Sequence, residues 1–252
     1  VALMYKPGKF NFRASYAAGF RTPTLSELYA TDIAKKNDRL TIGNLDLKPE
    51  KNDYFSLSAE YVHERFSVSV NAFYNNIRDM IDYNTIATGD KAMEQYGHKE
   101  VRQRDNIAEA KVHGINVSAN AYLGAGFNLS GGYTHLNTQD VELEQPIDKS
   151  IKNAYNINAQ WAHSWKIYRL NINLNGRINS KRFSKSYGYA PEYQLWDLNT
   201  RHSFNLKSVI IEPGCGMENL FDYMDDRPYN SNYATLTPGR SFYISLSLKF
   251  KS

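Results

Sequence analysis

The chain has 252 residues, 42% hydrophobic and 13% aromatic, with Tyr 19, Phe 12 and Trp 3. No apolar run approaches the ~18 residues of a membrane-spanning helix, and the mean hydropathy is −0.58. A net charge of +4 without any Lys/Arg block excludes nucleic acid as the partner that composition points to, and the single cysteine, Cys215, excludes an internal disulfide and a paired-cysteine metal knuckle. A transmembrane β-barrel survives these exclusions, since only alternate strand residues need be apolar and its interfaces use aromatics. A soluble β-sandwich survives them too. Val1 to Lys6 lacks a charged segment followed by a long apolar core, so for an exported protein the signal is expected on sequence not given.

In chain order, Val1 to Tyr5 reads as the end of a strand, and Lys6-Pro7-Gly8-Lys9 as a turn. Phe10, Phe12, Ala14, Tyr16, Ala18 and Phe20 then alternate with mostly polar or small residues. Residues 21 to about 51 lose that period and read as a long loop, with a short helical turn near Leu25 to Tyr29. Strands follow at Tyr54–Tyr61 and from Phe66 to about Tyr83, joined by a turn at His63-Glu64-Arg65. Residues 84 to about 104 read as a polar connection. Further strands carry Ile115 to Leu123, Phe127 to Tyr133 and Tyr155 to Trp161, with turns at Gly124-Ala125-Gly126 and His163-Ser164-Trp165. The sharpest alternation sets Tyr168, Leu170, Ile172, Leu174, Gly176 and Ile178 against Arg169, Asn171, Asn173, Asn175, Arg177 and Asn179, which makes one face wet. After a loop near 180–192 come strands at Trp196 to Phe204 and Val209 to Glu218, a loop over 221–238, and a final strand from Ser241 to Phe250.

These are eleven strands. Long connections alternate strictly with turns of two to four residues, the arrangement of outer-membrane barrels with short periplasmic turns and long extracellular loops. In lipid an unpaired strand edge strands its N–H and C=O groups at several kcal/mol apiece, so such a sheet must close. An odd strand count without a visible closing partner leads to the expectation that residues 1–252 are the C-terminal part of a longer protein.

Gly19-Phe20-Arg21-Thr22-Pro23-Thr24-Leu25-Ser26-Glu27-Leu28-Tyr29 resembles the TonB-dependent outer-membrane receptors. So do Gly43-Asn44-Leu45-Asp46-Leu47-Lys48-Pro49-Glu50-Lys51, Asn76-Ile77-Arg78-Asp79-Met80-Ile81, the stretch from Asn106 to Ile115, Glu218-Asn219-Leu220-Phe221-Asp222 and the C-terminal strand, all in family order. The resemblance implies an all-β chain, the C-terminal half (about 11 antiparallel strands) of a barrel of about 22 strands, whose N-terminal plug and first barrel half are not in this chain. It implies active import of a scarce, bulky chelate (cobalamin, haem or a ferric siderophore) across the bacterial outer membrane. The implied partners are the plug-bearing N-terminal half, the TonB–ExbB–ExbD complex, outer-membrane lipids and, capping the barrel in some members, a surface lipoprotein. No intrinsic cofactor is implied. A passive porin or adhesin barrel is the alternative.

Haem receptors of the family carry Phe-Arg-Ala-Pro, Asn-Pro-Asp-Leu and an intervening histidine. Here Phe20-Arg21-Thr22-Pro23 keeps the first, Asn44-Leu45-Asp46-Leu47 lacks the proline of the second, and residues 24–43 contain no histidine. The expected axial ligand for haem iron is therefore missing from its usual place. Of six histidines only His98 falls in a long connection expected at the extracellular end, which makes it the one haem candidate. Arg21, His98, Tyr187, Tyr189, Tyr229 and Tyr233 are the expected ligand contacts, the tyrosines because rings at loop positions can stack on a flat macrocycle. Arg13, Arg169, Arg177 and Arg201 are expected on the wet face, toward a plug, an anionic ligand or simply water. Glu27, Asp46 and Glu50 could hold Ca²⁺ or bond within their loop. No nucleophile elbow, P-loop or HExxH sequence supports an enzyme.

Overall fold

A computed structural model describes residues 1–185, 188–224 and 239–251. Segments in which apolar and polar residues alternate become strands, because a pleated chain gives one face to each class. The elements are β1 (Ala2–Tyr5), β2 (Phe10–Arg21), α1 (Leu25–Tyr29), β3 (Thr31–Ala34), β4 (Arg39–Ile42), β5 (Glu50–Val62), β6 (Phe66–Thr88), α2 (Gly89–Tyr96), β7 (Glu100–Gly124), β8 (Phe127–Asp140), β9 (Asn153–Trp165), β10 (Tyr168–Asn179), β11 (Arg182–Ser184), β12 (Gly188–Ala190), β13 (Tyr193–Asn205), β14 (Val209–Glu218) and β15 (Ser241–Phe250). Eleven of them form one path, β1-β2-β5-β6-β7-β8-β9-β10-β13-β14-β15, in which every neighbour is antiparallel. The all-β fold and the eleven-strand count are as the sequence leads one to expect. Among the described residues β1 and β15 each pair on one side only, so the sheet has two open edges.

The register keeps the two faces apart across the sheet. One row runs Phe127↔Trp161↔Ile172↔Thr200↔Cys215↔Ile244, and the adjacent row Asn128↔Gln160↔Asn173↔Asn199↔Gly216↔Tyr243. The polar face is cross-linked: Ser15 to Ser56 at 2.6 Å, Ser69 to Ser118 at 2.7 Å, Thr134 to Asn116 at 2.9 Å, and Asn158 to Asn175 at 2.6 Å. The apolar face is bare, with Ile244 88% and Phe250 81% exposed. A sandwich would bury such residues under a second sheet ~10 Å away. Among the described residues no second layer covers them.

Connections sort by end. Residues 6–9, 63–65, 124–126, 166–167 and 206–208 make tight turns at one end, and the long connections gather at the other. At the β7–β8 turn Gly126 has φ +86°, and a Cβ there would lie 1.9 Å from the Ala162 carbonyl oxygen, so only glycine fits. The β9–β10 turn falls at Lys166-Ile167 rather than at His163-Ser164-Trp165. The alternation Trp161, His163, Trp165 simply continues to the strand end, and Lys166 takes the left-handed position with φ 39°.

The loop end differs most from expectation. Residues 84–104 are not an irregular connection: β6 continues to Thr88, α2 caps the tip, and β7 starts at Glu100. At about 3.3 Å per residue, the 25 residues of β7 extend far beyond what ~10 residues need to cross a hydrocarbon layer. Residues 21–51 contain the expected short helix, α1, and also the β3–β4 hairpin. β4 pairs in parallel with β7, Arg39↔Glu100 through Ile42↔Gln103. Residues 180–192 hold the small β11–β12 hairpin. A compact apolar cluster lies here rather than under the sheet: Leu40, Ala92 and Val101, with Ile42, Ala87 and Tyr96 against it.

Candidate functional site

The polar face curves round a half-open hollow of about 690 Å³, with Ser118, Asn120, Asn156, Arg177, Asp197 and Ser241 in its wall. These residues come from strands as far apart as β7 and β15, so the hollow belongs to the sheet's curvature and not to one hairpin. Arg13, Arg169, Arg177 and Arg201 stand on this face, where alternation puts them.

At the loop end the 21–51 connection is knotted to the β6–β7 hairpin. Thr24 caps α1: its hydroxyl accepts the Glu27 N–H at 3.3 Å, and the Glu27 carboxylate accepts the Thr24 N–H at 2.8 Å, the reciprocal arrangement of a capping box. Gly43 lies so close to α1 that a Cβ would sit 2.5 Å from the Leu28 carbonyl oxygen. Arg21, at the end of β2, bridges Glu27 at 3.0 Å and Glu50 at 2.5 Å. The Arg21 guanidinium, with help from Thr24, holds the Glu27 carboxyl down to about 2. Glu50 also accepts the Ile81 N–H at 2.9 Å, which reaches across to β6. There Asp79 has φ 57° and the β6–β7 ladder is irregular. Asn106 of β7 closes the ring: its amide donates to the carbonyls of Lys48 at 2.9 Å and Asp79 at 2.6 Å and accepts the Lys48 N–H at 2.7 Å. Asn219 does the same farther round, donating to the Tyr223 carbonyl at 2.7 Å and accepting the Tyr223 N–H at 2.8 Å.

Four of the stretches that carried the sequence resemblance meet in this knot, and the fifth makes a separate turn around Asn219. Arg21, Thr24 and Glu27 belong to the first stretch, Gly43 and Glu50 to the second, Asp79 and Ile81 to the third, Asn106 to the fourth and Asn219 to the fifth. Both faces of the Arg21 fork are thus engaged by carboxylates within the chain. Glu27 and Glu50 serve Arg21, and among the described residues no group of three or more His, Cys, Asp or Glu is placed to hold a metal ion. His98 follows Gly97, the left-handed residue that ends α2, and its Nδ1 lies 2.9 Å from Asp38 in the β3–β4 turn. The hydrogen bond from His98 holds the Asp38 carboxyl below the usual carboxylate range. Tyr189, on β12, is exposed and meets Phe183 edge-on at 5.3 Å. Tyr187, Tyr229 and Tyr233 lie outside the described residues.

One group escaped the sequence reading. The Arg104 guanidinium lies 3.7 Å over the Tyr83 ring centre and donates to the Tyr83 hydroxyl at 2.6 Å. Arg102, two residues away on the same strand face, donates to Glu100 at 2.6 Å. The signal was there: Arg102 and Arg104 have strand spacing, but they fell in a stretch read as a loop.

A family model described as "TonB dependent receptor-like, beta-barrel" matches residues 1–220. The chain belongs to that family. Its sheet also resembles solved receptors. A mutant of the ferric enterobactin receptor PfeA from Pseudomonas aeruginosa, in complex with enterobactin, is 20% identical with a TM-score of 0.75, over 98% of this chain and 40% of that one. BauA, the ferric preacinetobactin receptor from Acinetobacter baumannii, is 16% identical with a TM-score of 0.70, over 99% and 35%. The copper transporter OprC is 13% identical with a TM-score of 0.72, over 99% and 39%. The chain thus spans about two fifths or less of the length of these structures. At such identities the likeness speaks for the fold. TonB-dependent receptors as a family are outer-membrane β-barrel transporters rather than enzymes.

Proposed function

We propose that this chain is the C-terminal half-barrel of a TonB-dependent importer that carries a ferric siderophore, or a chelate of similar bulk, across the bacterial outer membrane. One observation carries the proposal: a single sheet holds a bare apolar face, a cross-linked polar hollow, and at one end a charged knot that ties the 21–51 connection to the β6–β7 hairpin. Lipid would meet the first, a plug the second, and ligand the third. The two open edges of the sheet, and the share of the solved receptors it spans, support a first barrel half and a plug on additional sequence. The drive from TonB–ExbB–ExbD would act on that plug.

Ferric siderophores stand ahead of haem and cobalamin on two grounds. Solved siderophore receptors share the fold. The histidine that haem receptors of the family carry between the two motifs is missing from residues 24–43. Binding of ferric siderophores, haemin and cobalamin to the complete receptor, followed by uptake with and without TonB, tests the proposal. A ferric siderophore bound and imported only with TonB is the expected result. Uptake that ignores TonB would instead mark a passive porin.

A further inference from the structure

At the turn end the short connections carry charge of nearly one sign. Residues 6–9, 63–65, 166–167 and 206–208 bring Lys6, Lys9, Arg65, Lys166 and Lys207 against the lone carboxylate of Glu64, and residues 124–126 are uncharged. All five cations are exposed, and among the described residues none of them forms an ion pair. Toward the loop end the cations are partnered: Lys51 by Asp79, Arg78 by Asp53 and Lys111 by Glu109. Like charges gathered on one rim repel one another, and a bound anion relieves that cost.

Beside these turns a band of rings lies on the apolar face. Phe10, Tyr61 and Phe66 follow one another at 4.9 and 5.6 Å. Farther round, Phe127 meets Trp161 at 5.9 Å, and Trp165, Tyr168 and Phe204 meet in turn at 5.5 and 5.0 Å. Register sets both groups on the face that carries Leu129 and Ile172, through Phe66↔Ala121↔Leu129 and Phe127↔Trp161↔Ile172. Lys9 adjoins Phe10, Arg65 adjoins Phe66 and Lys166 follows Trp165, so each of these cations is one residue from a ring of the band. Amphipathic rings settle at the level of lipid headgroups, and Lys and Arg stems reach along apolar surface to keep their charge in water. A cation just outside such a ring therefore stands at the depth of the lipid phosphates. A soluble acidic partner would need no apolar band beside the charges.

We propose that Lys6, Lys9, Arg65, Lys166 and Lys207 form a cationic rim that selects anionic glycerophospholipids, through their phosphates, in the leaflet at the turn end. A zwitterionic lipid also brings a phosphate, but its own ammonium group offsets that charge, so the rim discriminates by net charge. The rim rests on the outer-membrane placement proposed above and adds the lipid class that meets the turns.

The test reconstitutes the complete receptor into vesicles of phosphatidylcholine and phosphatidylglycerol at equal mole fraction, re-extracts it in a neutral detergent, and sorts the retained phospholipid by headgroup. The unaltered receptor should retain phosphatidylglycerol over phosphatidylcholine by about threefold or more, and reconstitution at about 1 M salt should erase the preference, because exposed charges are screened. Combining Lys6→Gln, Lys9→Gln, Arg65→Gln, Lys166→Asn and Lys207→Gln should at least halve the ratio. Asparagine is the choice at 166 because φ is 39° there. Lys9→Arg with Lys207→Arg should keep the ratio, and Lys91→Gln on α2 should not move it. If the combined variant does not assemble, Lys9→Gln with Lys207→Gln supports the same comparison with a smaller drop. A ratio unchanged by removing the charges overturns the rim and assigns them to a soluble acidic partner, and an equal drop from Lys91→Gln overturns it too. Failure of the unaltered receptor to retain either phospholipid overturns the membrane placement itself.

Discussion

At the scale of single residues, the loop end depends on a few polar side chains. Thr24 and Glu27 cap a helix of only five residues, too short to be stable by propensity. Thr24→Ala should therefore cost about 1 kcal/mol locally, read as faster amide exchange in residues 24–30 with the strands unchanged. Glu27 makes the knot sensitive to acid. Its folded value, about 2, lies below its ordinary 4.5. Its contribution is therefore complete above pH 4.5 and is lost as pH falls toward 2. Exchange in α1, corrected for the intrinsic pH effect, should accelerate across that window, and Glu27→Gln should remove the window while leaving the helix looser at pH 7. A flat profile in the unaltered protein would show that Arg21 and Glu27 do not couple. Arg21, legible in the sequence as a candidate contact, is brought between two carboxylates. Nothing in the order of residues announces that, because Glu50 reaches it only once β2 and β5 pair, Arg21↔Glu50.

At the scale of elements, the sheet and its loop-end extension are held by different forces. The extension has a true core, small as it is. Leu40→Ala should remove ~2 kcal/mol or more from that cluster and release the β3–β4 hairpin from β7. Limited proteolysis would then cut within residues 31–42, while the eleven-strand path keeps its resistance. The turn end depends on backbone shape. Strand boundaries there were legible where charged or turn-forming residues break the alternation, as at Lys6-Pro7-Gly8-Lys9 and His63-Glu64-Arg65, and were misplaced at Trp165, where the alternation runs on unbroken. The β6–β7 extension was illegible for a related reason: water bathes much of it, so its residues need not alternate, and its ladder is satisfied by backbone bonds alone.

At the scale of the molecule, one face of the sheet is apolar and unshielded, and the outer-membrane proposal assigns it to lipid. Leu246→Arg should then destabilise the assembled barrel by about 2–4 kcal/mol if it stands near the bilayer midplane. Ser245→Arg, one residue away and on the polar face beside Arg201 and Glu212, should be tolerated. The heat-shifted mobility of the complete receptor folded into vesicles measures both. Equal sensitivity at the two positions would contradict the assignment of the faces.

What the sequence determined by itself is the two-faced character of each strand, the sorting of short turns from long connections, and through its ordered motifs the family. All three are local: a period of two, a glycine or proline in place, a run of a dozen residues. Only the tertiary structure decided that four of those motifs meet in one knot, that β4 joins β7 some sixty residues away, and that Arg104 and Tyr83 face each other. Such contacts arise from strand pairing and from closing long loops, and side-chain polarity along the chain carries no record of which distant backbone a wet strand will find.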